Sequence, residues 1–249
     1  MEKKYELIEQ KNGLYQIRAL RNFSWVSKGS LGGYVQSEAN LSQEGNCWID
    51  PRGVVLENAV VSENAYIGAD SVIGGNAQIR GKAIVSYSYV SENAVVEGNA
   101  EIDCKASIGG ETHINGDAQI LYANISGKSS ISGKITIAGY GFLRDALIRR
   151  SSDVVFINLQ NIALTFYVSR IDNHSRICVC DGARSWTLDK FNAYISQKYP
   201  NSPRAQIFNM AAEMAKAQII EGFRQAKRAK TETARQIETV GGAPEKKTA

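Results

Sequence analysis

The sequence predicts an all-β coil, built from short parallel strands, that is followed by a small α+β unit. Two observations lead to this fold class. Triplets of the form small–x–aliphatic recur every six residues from Gly33 to Leu143, and Asn or Asp precedes many of the small residues. A fixed short period is typical of repeat architectures, in which each repeat contacts its neighbours along one axis. The nineteen aliphatic-type positions are Val35, Leu41, Cys47, Val55, Val61, Ile67, Ile73, Ile79, Val85, Val90, Val96, Ile102, Ile108, Ile114, Ile120, Ile125, Ile131, Ile137 and Leu143.

Each six-residue unit reads as one short strand and one corner. Residues two apart on a strand share a face, so the small and the aliphatic residue both point inward. Asn and Asp tolerate left-handed backbone angles, which favours a corner before the next strand. Three strands and three corners close a triangular coil of about eighteen residues. The rhythm is interrupted by a two-residue insertion near Pro51 and by two steps of five residues, which end at Val90 and Ile125.

The pattern resembles the hexapeptide-repeat proteins that form a left-handed parallel β-helix. Gly, Ala, Ser or Thr stands two places before eighteen of the nineteen positions, and Ile135 is the exception. The resemblance implies an all-β left-handed parallel β-helix over residues 33–148. It does not select a function, because this fold hosts acyltransferases, metal enzymes and scaffolds.

Residues 1–32 precede the coil and read as a hairpin cap. Two apolar runs, residues 5–8 and 14–17, flank the turn Asn12-Gly13. A cap is expected because an open coil leaves backbone groups unpaired. The sequence of residues 29–35 and 41–49 resembles the opening of a group of phage- and prophage-encoded hexapeptide-repeat proteins.

Residues 149–230 form the predicted α+β unit, whose sequence also resembles the ends of that phage group. Residues 162–168 and 177–180 read as strands around a turn near Asp172-Asn173, and a helix is expected from Thr187 to about Tyr199. Pro203 opens a longer helix, and we expect its apolar stripe to pack into the core. The stripe is Ile207, Met210, Met214, Ala217 and Ile220. Residues 231–249 are polar and are expected to be disordered.

The composition predicts a cytoplasmic protein, in the host cytoplasm if it is phage-encoded. No apolar run is long enough to span a membrane, and the first ten residues are not a signal peptide. The four cysteines are expected to be reduced thiols. The formal net charge is +4, and the excess lies from Lys216 onward. Scattered charges of this kind usually form a solvated face, so we do not expect nucleic acid as a partner.

The sequence has few candidate chemical groups. With two histidines it cannot supply three histidine ligands to zinc, and we expect no metal site and no cofactor. His113 is the one candidate general base within the coil, where an acyltransferase would use it. The long loop that hexapeptide acyltransferases use to enclose coenzyme A is missing from the sequence, so an exposed polar residue is the simpler interpretation. His174 is expected on the surface.

The outward positions of the first coils predict an interface. Seven of the eight positions from Val54 to Val95 that precede an inward residue are apolar, whereas none is apolar from Glu101 to Thr136. A contiguous apolar exterior usually marks an interaction surface, so we predict self-association, and the resemblance to hexapeptide-repeat proteins implies a homotrimer. The predicted interface residues are Val54, Val60, Tyr66, Val72, Ile84, Tyr89 and Val95.

Three functions remain open at this stage. The first is a non-catalytic binding or scaffold protein, which the phage resemblance would make a host-defence antagonist that sequesters a small nucleotide signal or a host protein. The second is an acyltransferase that uses His113. The third is a structural phage component. The sequence favours the first over an enzyme, because no catalytic constellation is present.

Overall fold

The computed structural model of the chain describes residues 2–139, 141–159, 162–171 and 174–240. Its largest part is a parallel β-solenoid of about six turns, and a region containing two helices follows it.

The chain begins with a hairpin that continues into the solenoid. β1 (Tyr5–Glu9) and β2 (Tyr15–Ala19) pair in antiparallel fashion, and Gly13 in their turn has φ +79°. β2 then pairs with β3 (Leu31–Val35), which is the first strand to join a parallel sheet of the solenoid. The hairpin therefore extends one solenoid sheet by two strands.

Eighteen short strands of two or three residues follow β3 and complete the solenoid. They are β4 (Trp48–Ile49), β5 (Val54–Val55), β6 (Val60–Val61), β7 (Tyr66–Ile67), β8 (Val72–Ile73), β9 (Gln78–Ile79), β10 (Ile84–Val85), β11 (Tyr89–Val90), β12 (Val95–Val96), β13 (Glu101–Asp103), β14 (Ser107–Ile108), β15 (His113–Ile114), β16 (Gln119–Leu121), β17 (Asn124–Ser126), β18 (Ser130–Ile131), β19 (Thr136–Ala138), β20 (Phe142–Arg144) and β21 (Leu147–Ile148). A single 3-10 turn, Glu38–Asn40, precedes them.

Every third strand pairs in parallel with the next, so the coil has three faces. The first face runs β3-β5-β8-β11-β14-β17-β20, the second runs β4-β7-β10-β13-β16-β19, and the third runs β6-β9-β12-β15-β18-β21. Val54 pairs with Val72, eighteen residues on, and Val72 pairs with Tyr89, seventeen residues on. The coil length of about eighteen residues follows from the six-residue rhythm.

Three steps between successive inward residues are shortened to five, and one of them, from Leu143 to Ile148, lies between β20 and β21. The other two lie between β10 and β11 and between β16 and β17, at the corner that leads from the second face to the first. Tyr87 and Tyr122 occupy these tightened corners with φ of +48° and +62°. Because the loss is confined to a corner, the strands on either side keep their register.

The interior of the coil consists of the aliphatic residue of each strand and the small residue two places before it. Val55, Ile67 and Ile102 are fully buried, and so are Ala65 and Ala100. Burial of each aliphatic side chain contributes about 1.5–3 kcal/mol, so the column of inward residues supplies most of the hydrophobic stabilisation.

One inward position differs from the prediction. Ile49 pairs with Ile67 in the inward column, whereas Cys47 lies just before β4. The two extra residues therefore fall between Leu41 and Ile49, before β4, and not near Pro51. The rhythm alone could not show this, because Cys47 and Ile49 are two residues apart and therefore point to the same side of the chain. Both side chains are fully buried.

The inserted segment is held by a buried lysine at the start of the solenoid. Lys4 is fully buried, and its ammonium donates to the carbonyl oxygens of Glu44 at 3.2 Å and Cys47 at 3.1 Å, with the Cys47 sulfur at 3.2 Å. Burial lowers the pKa of Lys4 and raises the pKa of the Cys47 thiol. These contacts satisfy carbonyl groups that the first coil would otherwise leave without partners.

An antiparallel sheet follows the last coil. It has the order β22 (Val154–Leu159), β23 (Ile162–Ile171), β24 (His174–Cys180) and β25 (Ser185–Thr187), after a 3-10 turn at Ser151–Asp153. The two predicted strands lie within β23 and β24, whereas β22 and β25 were not predicted. The predicted turn at residues 172–173 lies outside the described residues.

This sheet separates two hydrophobic cores. Tyr167, Cys178 and Cys180 lie on the face that closes the end of the solenoid core. Phe166 and Val179 lie on the opposite face, against the helices. The Tyr167 hydroxyl donates to the Arg144 carbonyl at 3.1 Å, and Ala146 forms a bridge to Ser169, so strand β23 is tied to the last coil.

The two helices are α1 (Leu188–Lys198) and α2 (Pro203–Val240). Residues 231–240, which the sequence assigns to a disordered tail, are helical in α2. The reason is local: Ala, Arg, Gln and Glu in this segment favour helix, and the first helix breaker is Gly241. No helix among the described residues is long and apolar enough to span a membrane.

The predicted core stripe of α2 is wrong. Ile207, Met210 and Met214 are 51%, 71% and 57% exposed, Ala217 is exposed, and Ile220 is half-buried. The helix instead buries a neighbouring stripe, because Phe208 packs on the rings of Phe191 and Tyr199 and small alanines let the backbone approach the sheet. The buried residues are Ala205, Phe208, Ala211, Ala212, Ala215 and Ile219.

Replacement of an inward aliphatic residue should destabilise the solenoid strongly. Ile102→Ala leaves a cavity in the inward column, so we expect a loss of about 2–5 kcal/mol in the free energy of unfolding, measured by urea denaturation. Its neighbour Glu101 is exposed on the same strand, so Glu101→Ala should change that free energy by only about 0.5 kcal/mol. Equal effects of the two variants would contradict the packing described here.

Candidate functional site

The C-terminal unit contains a cleft between its sheet and its helices. The cleft has a cavity of about 170 Å³. Ile162 and Leu164 of β23 form its apolar floor, Trp186 of β25 forms one wall, and α1 forms the other. The residues of α1 that line it are Phe191, Tyr194, Ile195 and Lys198.

Local geometry explains why these side chains meet. Tyr194 and Lys198 are four residues apart, so they lie on one face of α1. Phe191 and Ile195 are almost fully buried and anchor that helix in the second core. On β25, Trp186 pairs with Val179, and its ring stacks on Tyr194 with 5.2 Å between centroids and 25° between planes.

Three cations alternate with the aromatic rings along the rim of the cleft. The Arg184 guanidinium lies 5.2 Å from the centre of the Trp186 ring and 5.1 Å from that of Tyr194. The Lys198 ammonium lies 5.1 Å from the centre of the Tyr194 ring and 5.4 Å from the centre of the Tyr199 ring. The guanidinium of Arg204, at the start of α2, lies 5.1 Å from the centre of the Tyr199 ring. We call this set, Arg184, Trp186, Tyr194, Lys198, Tyr199 and Arg204, the cation–aromatic cluster.

The charge around the cluster is positive. Asp181 is the one carboxylate among the described residues that line the cavity, and it pairs with Arg184 at 3.3 Å. The Arg184 side chain is still 53% exposed, so a ligand can approach its guanidinium. Two of the three cations have no carboxylate partner within the described residues.

The electrostatics of the cluster act on a tyrosine. Lys198 Nζ donates a hydrogen bond to Tyr194 Oη at 2.6 Å, and Arg184 lies beside the same ring. The hydrogen bond, helped by the Arg184 charge, lowers the pKa of Tyr194 below its ordinary value. The cluster therefore stabilises negative charge on an oxygen placed at this position.

This arrangement suits a ligand that carries both an aromatic ring and an anionic group. Aromatic side chains offer stacking surfaces, and Arg and Lys bind phosphate or carboxylate oxygens. The cluster holds no nucleophile–base pair, and no group of three His, Cys, Asp or Glu residues in the described ranges could hold a metal ion.

His113 lies on the third face of the solenoid, away from the cluster. Its Nε2 is 2.7 Å from Glu97 Oε1, and the other oxygen of Glu97 accepts from Arg80 Nε at 2.6 Å. The hydrogen bond from Arg80, and then that with His113, lowers the pKa of Glu97. Glu97 could orient the imidazole of a general base, but its shared use by Arg80 is equally typical of a surface ion-pair network. His174 begins β24 and is exposed.

The predicted interface residues do not form one patch. Val54, Val72 and Tyr89 lie on the first face, Tyr66 and Ile84 on the second, and Val60 and Val95 on the third. The reason is geometric: positions six residues apart lie on successive faces, and a shared face requires a spacing of one full coil, which is seventeen or eighteen residues, or twenty in the coil that contains the insertion. The longest apolar column is on the first face, where Tyr34, Val54, Val72 and Tyr89 are stacked.

Sequence reasoning missed the cation–aromatic cluster. A signal was present, because four aromatic and four basic residues occur between positions 184 and 204. Their assembly also requires β25, which was not predicted, and the packing of the α2 start beside Tyr199.

Comparison with known proteins gives no family. No protein-family model matches the chain, and no curated protein matches it in sequence.

The pKa of Tyr194 provides a test of the cluster geometry. Lys198→Met removes the hydrogen bond, so the pKa of Tyr194 should rise toward the ordinary value of about 10, measured by NMR titration of 13C-labelled tyrosine. Tyr194→Phe assigns the resonance. Lys190→Met, on an exposed position of the same helix, is the matched control and should leave this pKa unchanged. A Tyr194 pKa that stays the same when Lys198 is replaced would show that the two side chains are not hydrogen-bonded.

Proposed function

We propose that this chain is a non-catalytic binding protein that holds a nucleotide in the cleft of its C-terminal unit. The observation that carries the proposal is the alternation of three cations with three aromatic rings, all of which except Arg204 line one cavity. The solenoid is then the rigid support for this unit.

The chemistry of a nucleotide matches the cluster in two ways. Stacking of a base on an aromatic side chain contributes about 1–3 kcal/mol and requires no particular base. Phosphate oxygens accept charge-assisted hydrogen bonds, and the planar Arg184 guanidinium can supply two at once. The small cavity would accept the ring, and the exposed cations at the rim would face the phosphates.

We further propose that the solenoid is a left-handed hexapeptide-repeat β-helix of the phage type. What supports this is the six-residue rhythm and the resemblance of residues 29–35 and 41–49 to phage-encoded proteins. In that setting, a nucleotide-binding cleft would sequester a small signalling nucleotide of the host, and the protein would act as a host-defence antagonist in the host cytoplasm. Cyclic nucleotides are therefore the first ligands to test.

Calorimetric titration with cyclic AMP, cyclic di-AMP, cyclic di-GMP and ATP tests the proposed cleft. We expect at least one of them to bind. Arg184→Ala and Lys198→Ala should each lower the affinity for that ligand about tenfold or more, which corresponds to about 1.4 kcal/mol. Lys190→Ala removes the same charge from the outer side of α1 and should leave affinity unchanged. If no nucleotide binds, or if the Lys190 variant weakens binding as much as the Lys198 variant, the proposal is wrong.

We also propose that the chain self-associates as a trimer through the apolar column of the first face. Val72→Lys would place a charge in the middle of that column, so sedimentation at micromolar concentration should show a smaller species than the unchanged chain. Ser107→Lys adds the same charge to the same face beyond the column and should keep the larger species. A monomer in all three samples would exclude this interface.

Acyl transfer is the second candidate, and the contact between His113 and Glu97 is what favours it. It predicts that acetyl-coenzyme A acetylates an amine or hydroxyl acceptor and that His113→Ala abolishes this activity. No turnover with a broad panel of acceptors would exclude it. A structural role in phage particles would place the protein in purified particles.

A further inference from the structure

A second site lies on the solenoid, beneath an exposed tryptophan. Trp25 belongs to the segment between β2 and β3 and is 64% exposed, although Phe23 and Val26 of the same turn are buried. Beside it lies a groove of about 630 Å³ on the second face of the coil. A groove of this size falls in the range of about 300–1,000 Å³ that is typical of small-molecule sites.

The turn that carries Trp25 is rigid. Phe23 and Val26 exchange both of their backbone hydrogen bonds, at 3.0 and 2.8 Å, and both side chains are buried. Phe23 also packs edge-on against Trp48 with 5.4 Å between ring centroids. Ser24, at the tip, has φ +46°, a left-handed conformation that costs a non-glycine residue about 1–3 kcal/mol. The fold thus maintains a strained turn that presents a large ring to solvent.

A second aromatic ring fixes the position of the first. Trp25 and Tyr66 meet edge to face, with centroids 5.0 Å apart and an interplanar angle of 87°. The Tyr66 hydroxyl donates to Asp50 at 3.2 Å, and burial together with this carboxylate raises the pKa of Tyr66 to about 12. Tyr66 therefore stays a neutral phenol, and both aromatic residues line the groove.

The polar side of the groove is rich in neutral hydrogen-bonding groups. Asn46 and Asn64 lie one above the other at a corner of the coil, and Asn46 Nδ2 donates to Asn64 Oδ1 at 3.0 Å. This bond orients the Asn64 amide and leaves its NH2 group as a donor. Lys82 is the next residue along the corner, and Ser24 adds a hydroxyl.

The groove differs in charge from the cation–aromatic cluster. No carboxylate occurs among the described residues that line it, and Lys82 is its single cation. A phosphate-rich ligand would find one positive charge here, where the cluster offers three. Two amides, a hydroxyl and an ammonium beside exposed rings suit a ligand with many neutral hydroxyl groups.

We propose that this groove binds a neutral oligosaccharide. The apolar C–H face of a pyranose ring would stack on the indole or phenol face, which buries apolar surface on both partners. The sugar hydroxyls would exchange hydrogen bonds with the Asn46 and Asn64 amides, Ser24 and Lys82, so that few polar groups lose water without a new partner. This site is independent of the nucleotide site proposed for the C-terminal cleft.

Titration of the full chain with chitotetraose, maltotetraose and cellotetraose tests this proposal, with calorimetry and tryptophan fluorescence as readouts. We expect at least one to bind at millimolar concentration or below and to change the tryptophan emission. Trp25→Ala should lower the affinity for that ligand at least tenfold. Trp25→Phe should lower it least, and the effect of Asn64→Ala should lie between those of the two Trp25 variants. Tyr122→Ala removes another exposed aromatic side chain from a distant corner and should have no effect.

Two further observations make the result decisive. Thermal unfolding of each variant shows whether the turn still folds, and Trp25→Phe retains an aromatic ring there if Trp25→Ala does not fold. In the Trp25→Phe variant, the emission change on saccharide binding should disappear, because Trp48 is buried and Trp186 lies in the other cleft. Failure of all three tetrasaccharides to bind, or binding that is unchanged in the Trp25 variants, would overturn the proposal.

Discussion

Stacking of inward aliphatic side chains is the interaction on which the rest of this structure depends. Each one lies on the equivalent residue of the next coil, as Val55 lies on Ile73, eighteen positions away, and Val35 lies on Val55, twenty positions away across the insertion. Their shared burial and the hydrogen bonds between coils hold three faces in register at once. Because every coil supports the next, the column is continuous, and an alteration is tolerated at a corner, as at Tyr87 and Tyr122, where strand pairing continues on both sides.

A stacked coil has two open ends, and each end of this one is closed by a different device. At the start, the ammonium of Lys4 reaches carbonyl groups of the inserted segment, and the hairpin extends one sheet. At the other end, the C-terminal sheet places Tyr167, Cys178 and Cys180 against the last coil. These closures remove exposed backbone groups that would otherwise recruit another chain.

Both proposed ligand sites lie where an added segment meets a regular framework. Trp25 is carried by the turn between β2 and β3 and rests on the coil through Tyr66. The cation–aromatic cluster forms where β25, α1 and the start of α2 converge. A regular coil repeats the same environment at each step, so a unique pocket requires an element that breaks the repeat. The two sites differ in net charge, and this difference is the basis for assigning them different ligands.

The sequence alone determined the coil, because a three-sided coil buries every small and aliphatic residue of a six-residue rhythm. Few other folds would point all of these residues inward. It also located the hairpin at Asn12-Gly13, where local turn chemistry decides, and the start of α1 next to Thr187, although Thr187 makes no side-chain capping hydrogen bond. Only the tertiary structure decided which of two equivalent residues, Cys47 or Ile49, joins the inward column, and which of two apolar stripes α2 buries. Periodicity specifies that a face is apolar, whereas the partner that covers it comes from a distant part of the chain. The cation–aromatic cluster and the Trp25 groove could not be predicted from the sequence for the same reason. Each consists of residues from separate elements that come close together only when those elements pack.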